Sequence, residues 1–352
     1  MNLDLTDTQR LLRDAIRSFL AAEVSFDRVR ELEQERSWDE PLWQRICEQG
    51  WTGVALGEAR GGASGSLLEV GLVVEEFARR AAIVPVAEVL AAAWVLEHDV
   101  DGAVADELLT GMLTGGVRPV PAVGGMLRLL EGTLAGEVAA VDFGEQATHH
   151  LVAVGRPGEQ RLAVVDASTA GVTTEALTSI GRTPTCVARY DHAHATVVAD
   201  AAATRTMIDV ARALAAVQCV GCMQEAFDQT VKYAGFREQF GKPIGSFQAV
   251  RHHCANMAMR LESARFLAYE ALGAIAAGGA ESQVALAKSS ASAAVAEVTM
   301  LAHQIHGGNG VIEENDLYFF TLRGKERALA WGSAEECLAI AARSVGEPVD
   351  WL

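Results

Sequence analysis

Aromatic residues are scarce in this 352-residue chain, at 6%, so its cores must be aliphatic. Basic residues are outnumbered, 29 Lys and Arg against 46 Asp and Glu, for a net charge of -17. A nucleic-acid surface needs concentrated positive charge and is not expected. The start, MNLDLTDTQRLL, has neither a basic leader nor a continuous apolar stretch, so no signal peptide is expected. Gly, Glu and Arg interrupt each apolar run, and no membrane span is expected either. The six cysteines, at 47, 186, 219, 222, 254 and 337, are too scattered for a disulfide framework and read as reduced thiols of a cytoplasmic protein. Cys219 and Cys222 form a CxxC, but within an apolar helical run and with no second ligand pair at zinc spacing, so they read as small core residues. His252, His253 and Cys254 are adjacent on a predicted helix and point in different directions, which argues against a shared metal.

What is abundant is alanine, a strong helix former. Residues 1–113 read as helical. Thr6 and Gln9 have capping-box spacing, followed by a stripe of Leu11, Leu12, Ile16, Phe19 and Leu20. Further helices are predicted from Pro41 to Gly50, over SLLEVGLVVEEFARRAA, and after Pro85. Residues 114–200 change texture to short Val- and Thr-rich runs separated by Gly, Pro and Asp, among them HHLVAVG, QRLAVVDA, GVTTEAL and TCVARYDHAHATVVA. Such runs predict a small β barrel or sandwich. From 201 to 352 helical spacing returns. Phe247, Val250, Cys254, Met257, Leu261, Ala264 and Ala268 alternate steps of three and four, the seam of a four-helix bundle. Two more helices are predicted, over about 282–306 and about 316–345. The fold class is therefore mainly α with an inserted β domain, in three parts: 1–113, 114–200 and 201–352.

Two segments carry chemistry. The first, Tyr233-Ala-Gly-Phe-Arg237-Glu-Gln239-Phe240-Gly241-Lys-Pro-Ile244-Gly-Ser246-Phe247-Gln248, places a guanidinium, an amide and an aromatic ring at a helix end. Ser246 is in position to cap the next helix. Arg grips phosphate with paired hydrogen bonds, and a helix N-terminus adds backbone donors. The bland alternative is a helix–loop–helix corner with a solvated Arg. The second segment, Gln304-Ile305-His306-Gly307-Gly308-Asn309-Gly310, has three glycines that let backbone approach something flat or charged. Its bland alternative is an ordinary glycine-rich helix end.

Together, in this order, the two segments resemble the acyl-CoA dehydrogenase family, where they appear as R-x-x-F-G-x-x-I-x-x-F-Q and Q-x-x-G-G-x-G. The helix–β–helix plan agrees along nearly the whole chain. The resemblance implies two-fold related subunits with FAD at their interface. It assigns cofactor contacts to Arg237, Gln239, Phe240, Ile244, Gln248, Gln304, Ile305, Gly307, Gly308 and Ser333, reaching largely into a neighbour's flavin site. It also implies an acyl-CoA substrate, α,β-desaturation, and an electron-transfer flavoprotein or another acceptor.

The family's reaction needs a carboxylate base, and neither of the family's two positions for it carries an acid here. Counted without gaps from Gln304, one of the family's two base positions falls on Trp331, followed by Gly332 and Ser333. Counted back from Arg237, the other falls on Ala211. Neither can accept the proton. The stretches GGVRPVPAVGG (115–125) and AAVDFGEQAT (139–148) also lack the residues by which family members hold their own flavin. Donation to a neighbour is kept while the chain's own pocket is lost. That division predicts the non-base subunit of a heteromeric, α2β2 enzyme whose related partner brings the glutamate. Known members of that branch act on bulky steroid side-chain CoA thioesters. Two alternatives compete. One is a homomeric flavoenzyme with a displaced base (Asp209, Glu313, Glu314, Glu326 or Glu335) or with other flavin chemistry, such as N-oxygenation. The other is a catalytically silent scaffold.

Overall fold

Thr6 opens the first helix as its spacing predicts. Its side chain accepts from the Gln9 amide and the Gln9 side chain accepts from the Thr6 amide, a complete capping box for α1 (Asp7–Glu23). Ile16 and Leu20 are buried, but Leu11 faces outward. In this computed structural model, which describes residues 4–156 and 158–343, α2 (Phe26–Glu35) follows behind a Ser25 cap. α3 (Glu40–Glu48) is capped by Asp39, and Gly50 turns the chain out of it at φ 74°. α4 (Leu67–Arg79), α5 (Val86–His98) and α6 (Ala103–Leu113) complete the N-terminal helices. Buried Glu76 accepts from both Nε and Nη2 of Arg17, a paired grip that keeps a charged side chain tolerable inside the helical layer.

The β region begins with β1 (Pro119–Ala122), β2 (Arg128–Leu130), β3 (Thr133–Asp142) and β4 (His149–Val154). It continues with β5 (Arg161–Asp166), β6 (Val172–Leu177), β7 (Thr185–His194) and β8 (Thr196–Ala199). Two four-stranded sheets form, ordered β1-β4-β5-β8 and β2-β3-β7-β6. The run TCVARYDHAHATVVA, read as one segment in the sequence, splits at buried Ala195 into strands of different sheets. Valines and alanines of both sheets share one core. The buried His150 of β4 crosses it, bonding the Tyr190 hydroxyl of β7 at 2.9 Å and the Gly144 carbonyl at 3.0 Å.

The helices and both sheets up to Ala211 make one unit; the described residues from Arg212 onward form most of a second. α7 (Ala201–Phe236) starts in the first and runs into the second. A two-residue hairpin follows, β9 (Glu238–Gln239) and β10 (Lys242–Pro243), and then α8 (Gln248–Ala276), α9 (Glu281–His306), α10 (Leu317–Leu329) and α11 (Ala334–Arg343). α9 is central and packs against α8, α10 and α11. On α8, Met257, Leu261, Ala264 and Ala268 of the predicted seam are buried, while Phe247, Val250 and Cys254 are half-buried.

Three expectations change. The single helix predicted over 316–345 is two, broken at Ala330–Ser333, where Trp331 (φ 63°) and Gly332 (φ 112°) take left-handed conformations no helix can hold; residues 344 and 345 lie outside the described residues. α7 and the α9 region are long and apolar enough by composition to span a bilayer, contrary to the reading of the sequence, but most of each apolar window is buried inside the protein. Ser246 does not cap α8, as shown below.

Cys219 and Cys222 are fully buried where α7 meets α10. A Cβ on Gly324 would lie 2.5 Å from Val295 Cγ2 and 3.6 Å from Cys222 Cβ, so three helices converge on small residues. Burial raises the two thiols to about 11 and about 12, making them inert core groups. Among the described residues no cluster of His, Cys, Asp or Glu could hold a metal ion.

Candidate cofactor and substrate site

The first motif folds into a projecting corner. The Arg237 carbonyl accepts from the Ile244 amide at 2.8 Å and closes the loop, with Gln239 paired to Lys242 across the hairpin. The two residues at its tip, Phe240 (φ 53°) and Gly241 (φ 77°), are both left-handed, as a tight two-residue hairpin turn requires. For glycine this is free; for phenylalanine it costs on the order of 1–3 kcal/mol. The cost is not recovered by burial, since Phe240 is 92% exposed. Its ring meets only the edge of Phe247, at 6.0 Å, and Lys242 Nζ sits 4.5 Å over that second ring. Arg237, Gln239 and Gln248 are exposed, and the Arg237 guanidinium forms no ion pair with any described residue.

At the start of α8, Phe247 occupies the capping position and offers no side-chain acceptor. Ser246 falls one residue early, in the short turn Ile244–Ser246, where its hydroxyl is buried without a partner. The first amides of α8 are therefore not claimed by a side-chain cap, the condition under which a helix end binds anions. Ile244 is half-buried. Gly245 is required at the corner, because a Cβ there would lie 2.9 Å from the Ala234 carbonyl oxygen.

The second motif lies against the first. The His306 ring, last on α9, stacks on Tyr233 of α7 with centroids 4.3 Å apart and planes at 12°. Asn315 Nδ2 donates to His306 Nδ1 at 3.4 Å, and burial holds the imidazole below its ordinary pKa. His303 braces the turn, joined to the Gly310 carbonyl and the Thr321 hydroxyl at 2.7 Å each. The glycines divide by role. A Cβ on Gly310 would come within 2.8 Å of His306 Cβ, so that glycine serves packing. At Gly307 and Gly308 an added Cβ meets nothing within 4 Å, leaving an open backbone edge. Gln304 is exposed beside this edge, whereas Ile305 is buried in the bundle.

Both counted base positions lack an acid in place. Ala211 is a buried methyl on α7. Trp331 sits half-buried on the left-handed turn between α10 and α11. Arg212 Nε donates to the Trp331 carbonyl at 3.0 Å. Lys288 Nζ, fully buried on α9, donates to the Ala328 carbonyl (2.7 Å), the Gly332 carbonyl (2.9 Å) and Ser292 Oγ (2.8 Å). Each bond from a charged donor contributes on the order of 1.5–3 kcal/mol, set against the desolvation that lowers the buried amine's pKa, and the three together tie the turn to α9. Ser333 caps α11, accepting from the Glu336 amide while its own amide donates to the Glu336 carboxylate, which holds that carboxyl below its usual range. Among the alternative acids, Glu313, Glu314 and Glu335 are exposed, Glu326 pairs with Arg327 at 2.9 Å, and Asp209 is half-buried on α7.

In the β region, residues 115–125 and 139–148 are bonded to each other. Arg118 donates to the Gln146 carbonyl (3.0 Å) and the Gly115 carbonyl (2.9 Å), and its amide donates to Thr148 Oγ1 (2.8 Å). Its guanidinium lies over the Trp38 ring at 5.5 Å. Lys288, Arg212, His303 and Arg118 were not singled out from the sequence, whereas Tyr233 and His306 stood inside the two segments without a role assigned to them.

Comparison with known proteins agrees with this geometry. Residues 6–116 match the acyl-CoA dehydrogenase N-terminal domain and residues 201–346 its C-terminal domain. The acyl-CoA dehydrogenase IpdE2 of Mycolicibacterium smegmatis is 28% identical over 95% of this chain and 97% of its own length. A solved structure of the Tcur3481-Tcur3483 steroid ACAD (G363A variant) aligns with TM-score 0.91 at 28% identity, covering 96% of this chain and 98% of that one. The ChsE4-ChsE5 complex of Mycobacterium tuberculosis shares the fold, with TM-score 0.91 at 24% identity over 99% of both chains. With both terminal domains matched, and with the helix–sandwich–bundle order and the two joined motifs in place, the chain belongs to the acyl-CoA dehydrogenase family.

Proposed function

We propose that this chain is the subunit of a heteromeric, FAD-dependent acyl-CoA dehydrogenase that supplies cofactor contacts to a related partner carrying the catalytic base. The observation that carries the reading is an asymmetry within one bundle. The outward-facing elements are ready for a ligand: unpaired Arg237, projecting Phe240, an uncapped α8 and the open Gly307–Gly308 edge. The base position is filled by an indole on a braced turn.

These residues fit FAD by their chemistry. Arg237 and the α8 amides suit a diphosphate, the partnerless Ser246 hydroxyl adds a polar group, and glycine backbone leaves room for a flat ring or ribose edge. FAD supplies the acceptor for the hydride leaving the substrate's β carbon. This chain's part is to bind and orient: Arg237 fixes the anion, Phe240 and Phe247 offer apolar cover, and the Tyr233–His306 stack keeps the two motifs in register. Proton abstraction falls to the partner's carboxylate, because neither Trp331 nor Ala211 can accept a proton.

The cross-bonded segments around Arg118 support the absence of a flavin pocket of the chain's own. Similarity to a steroid ACAD supports a bulky polycyclic acyl-CoA as substrate. The proposed setting is cytoplasmic, in an α2β2 assembly, with an electron-transfer flavoprotein or similar acceptor. The test is anaerobic flavin bleaching by substrate in the purified complex. Replacing the partner's glutamate with Gln should abolish bleaching, and Trp331→Phe in this chain should leave it. The reverse pattern would place the chemistry on this chain.

A further inference from the structure

The most unusual charged group in the second unit is Lys288. It is fully buried, yet the groups it bonds are neutral: two backbone carbonyls and one hydroxyl. An ammonium has three donors, and here each has an acceptor at 2.7–2.9 Å, so its hydrogen-bonding capacity is filled. The site also has a favourable field. Ala328 lies in the last turn of α10, where unpaired carbonyls gather the negative end of the helix dipole. The two carbonyls flank the reversal at Ala330–Gly332, and Arg212 takes the carbonyl between them. Three successive points of the turn, at 328, 331 and 332, are thus tied to two cations from two other helices.

We propose that Lys288, acting with Arg212, is the positioning residue for position 331. It fixes the left-handed turn and with it the direction in which the side chain at 331 projects. The catalytic meaning rests on the reading that position 331 is where a family base would stand; the mechanical claim does not. The chain has retained the mount of an acid it no longer carries. A helix break that served only to end α10 would need no buried cation, since water or a glycine cap satisfies such carbonyls elsewhere.

The test uses the full chain labelled with 5-fluorotryptophan. Its six tryptophans give six fluorine resonances, and Trp331→Phe assigns the one from position 331. Lys288→Met should shift and broaden that resonance while the other five keep their positions. Arg212→Gln, which removes the bond to the Trp331 carbonyl and leaves the three Lys288 bonds in place, should shift it less. If Lys288→Met does not fold, Lys288→Gln replaces it. A shorter neutral amide reaches at most two of the three acceptors, and the same selective shift is expected. An unmoved, equally narrow Trp331 resonance in a folded Lys288 variant overturns the proposal, as does an equal disturbance of all six. The readout involves no flavin, so it stands or falls separately from the subunit assignment.

Discussion

Adding one methyl group at Gly308 and at Gly310 should have opposite consequences. At Gly310 the new Cβ would sit 2.8 Å from His306 Cβ and 3.2 Å from the His303 carbonyl oxygen. Neither neighbour is free to move: the His306 ring is stacked on Tyr233 and His303 is bonded at both ring nitrogens. Overpacking of this kind costs about 1–3 kcal/mol, or roughly 2–12 °C in the melting temperature at about 2–4 °C per kcal/mol. At Gly308 the added Cβ meets nothing within 4 Å. There the change should be neutral, or stabilising by about 0.4–1 kcal/mol through the unfolded chain. In the flavin-loaded complex the order should reverse. Gly308→Ala places a methyl on the edge left open for the cofactor and should lower the flavin retained on gel filtration. Thermal unfolding of the chain and flavin absorbance of the complex decide the matter. If Gly308→Ala destabilised the chain as much as Gly310→Ala, or left flavin content unchanged, the division of roles between the glycines would be wrong.

Arg237→Ala should weaken FAD binding to the complex by about 1.5–3 kcal/mol, read by flavin loss on dilution; full retention at micromolar protein would remove Arg237 from the site. Burial lowers the pKa of both His150 and His306 below 6.5, so the unfolded chain protonates first as the pH falls. Unfolding free energy should therefore decline from about pH 6.5 down to the folded-state values, while this histidine contribution levels off toward neutral pH; urea titrations rising toward acid would contradict this. Thiol titration of the native chain should find Cys254, which is half-buried, well before Cys219 and Cys222, which should react only on unfolding. Trp331→Glu alone should give little dehydrogenase activity, since the segments around Arg118 stay closed; robust turnover by that variant without a partner would refute the account.

Much of this architecture was legible because it rests on local signals. The Thr6 box, the 3-4 rhythm of α8 and the Val-rich runs each follow from spacing along a few turns of chain. The break at Trp331 was not legible, because nothing near 331 announces it. It depends on Lys288, some forty residues earlier, whose place in an Ala- and Ser-rich helix reads as an ordinary solvated cation. Ser246 misled for a related reason: its type favours capping, but the Ile244–Ser246 turn moves the helix start past it. The joining of the two motifs was likewise invisible, since a Tyr and a His far apart in sequence carry no mark of stacking on each other.

The most direct measurement is the ratio of FAD to protein for this chain expressed alone and together with the acyl-CoA dehydrogenase-like chain encoded beside it. The account predicts no bound flavin alone and about one flavin per pair of unlike subunits together, on the reasoning that binding residues are divided between the chains. One flavin per chain in the protein expressed alone would contradict it.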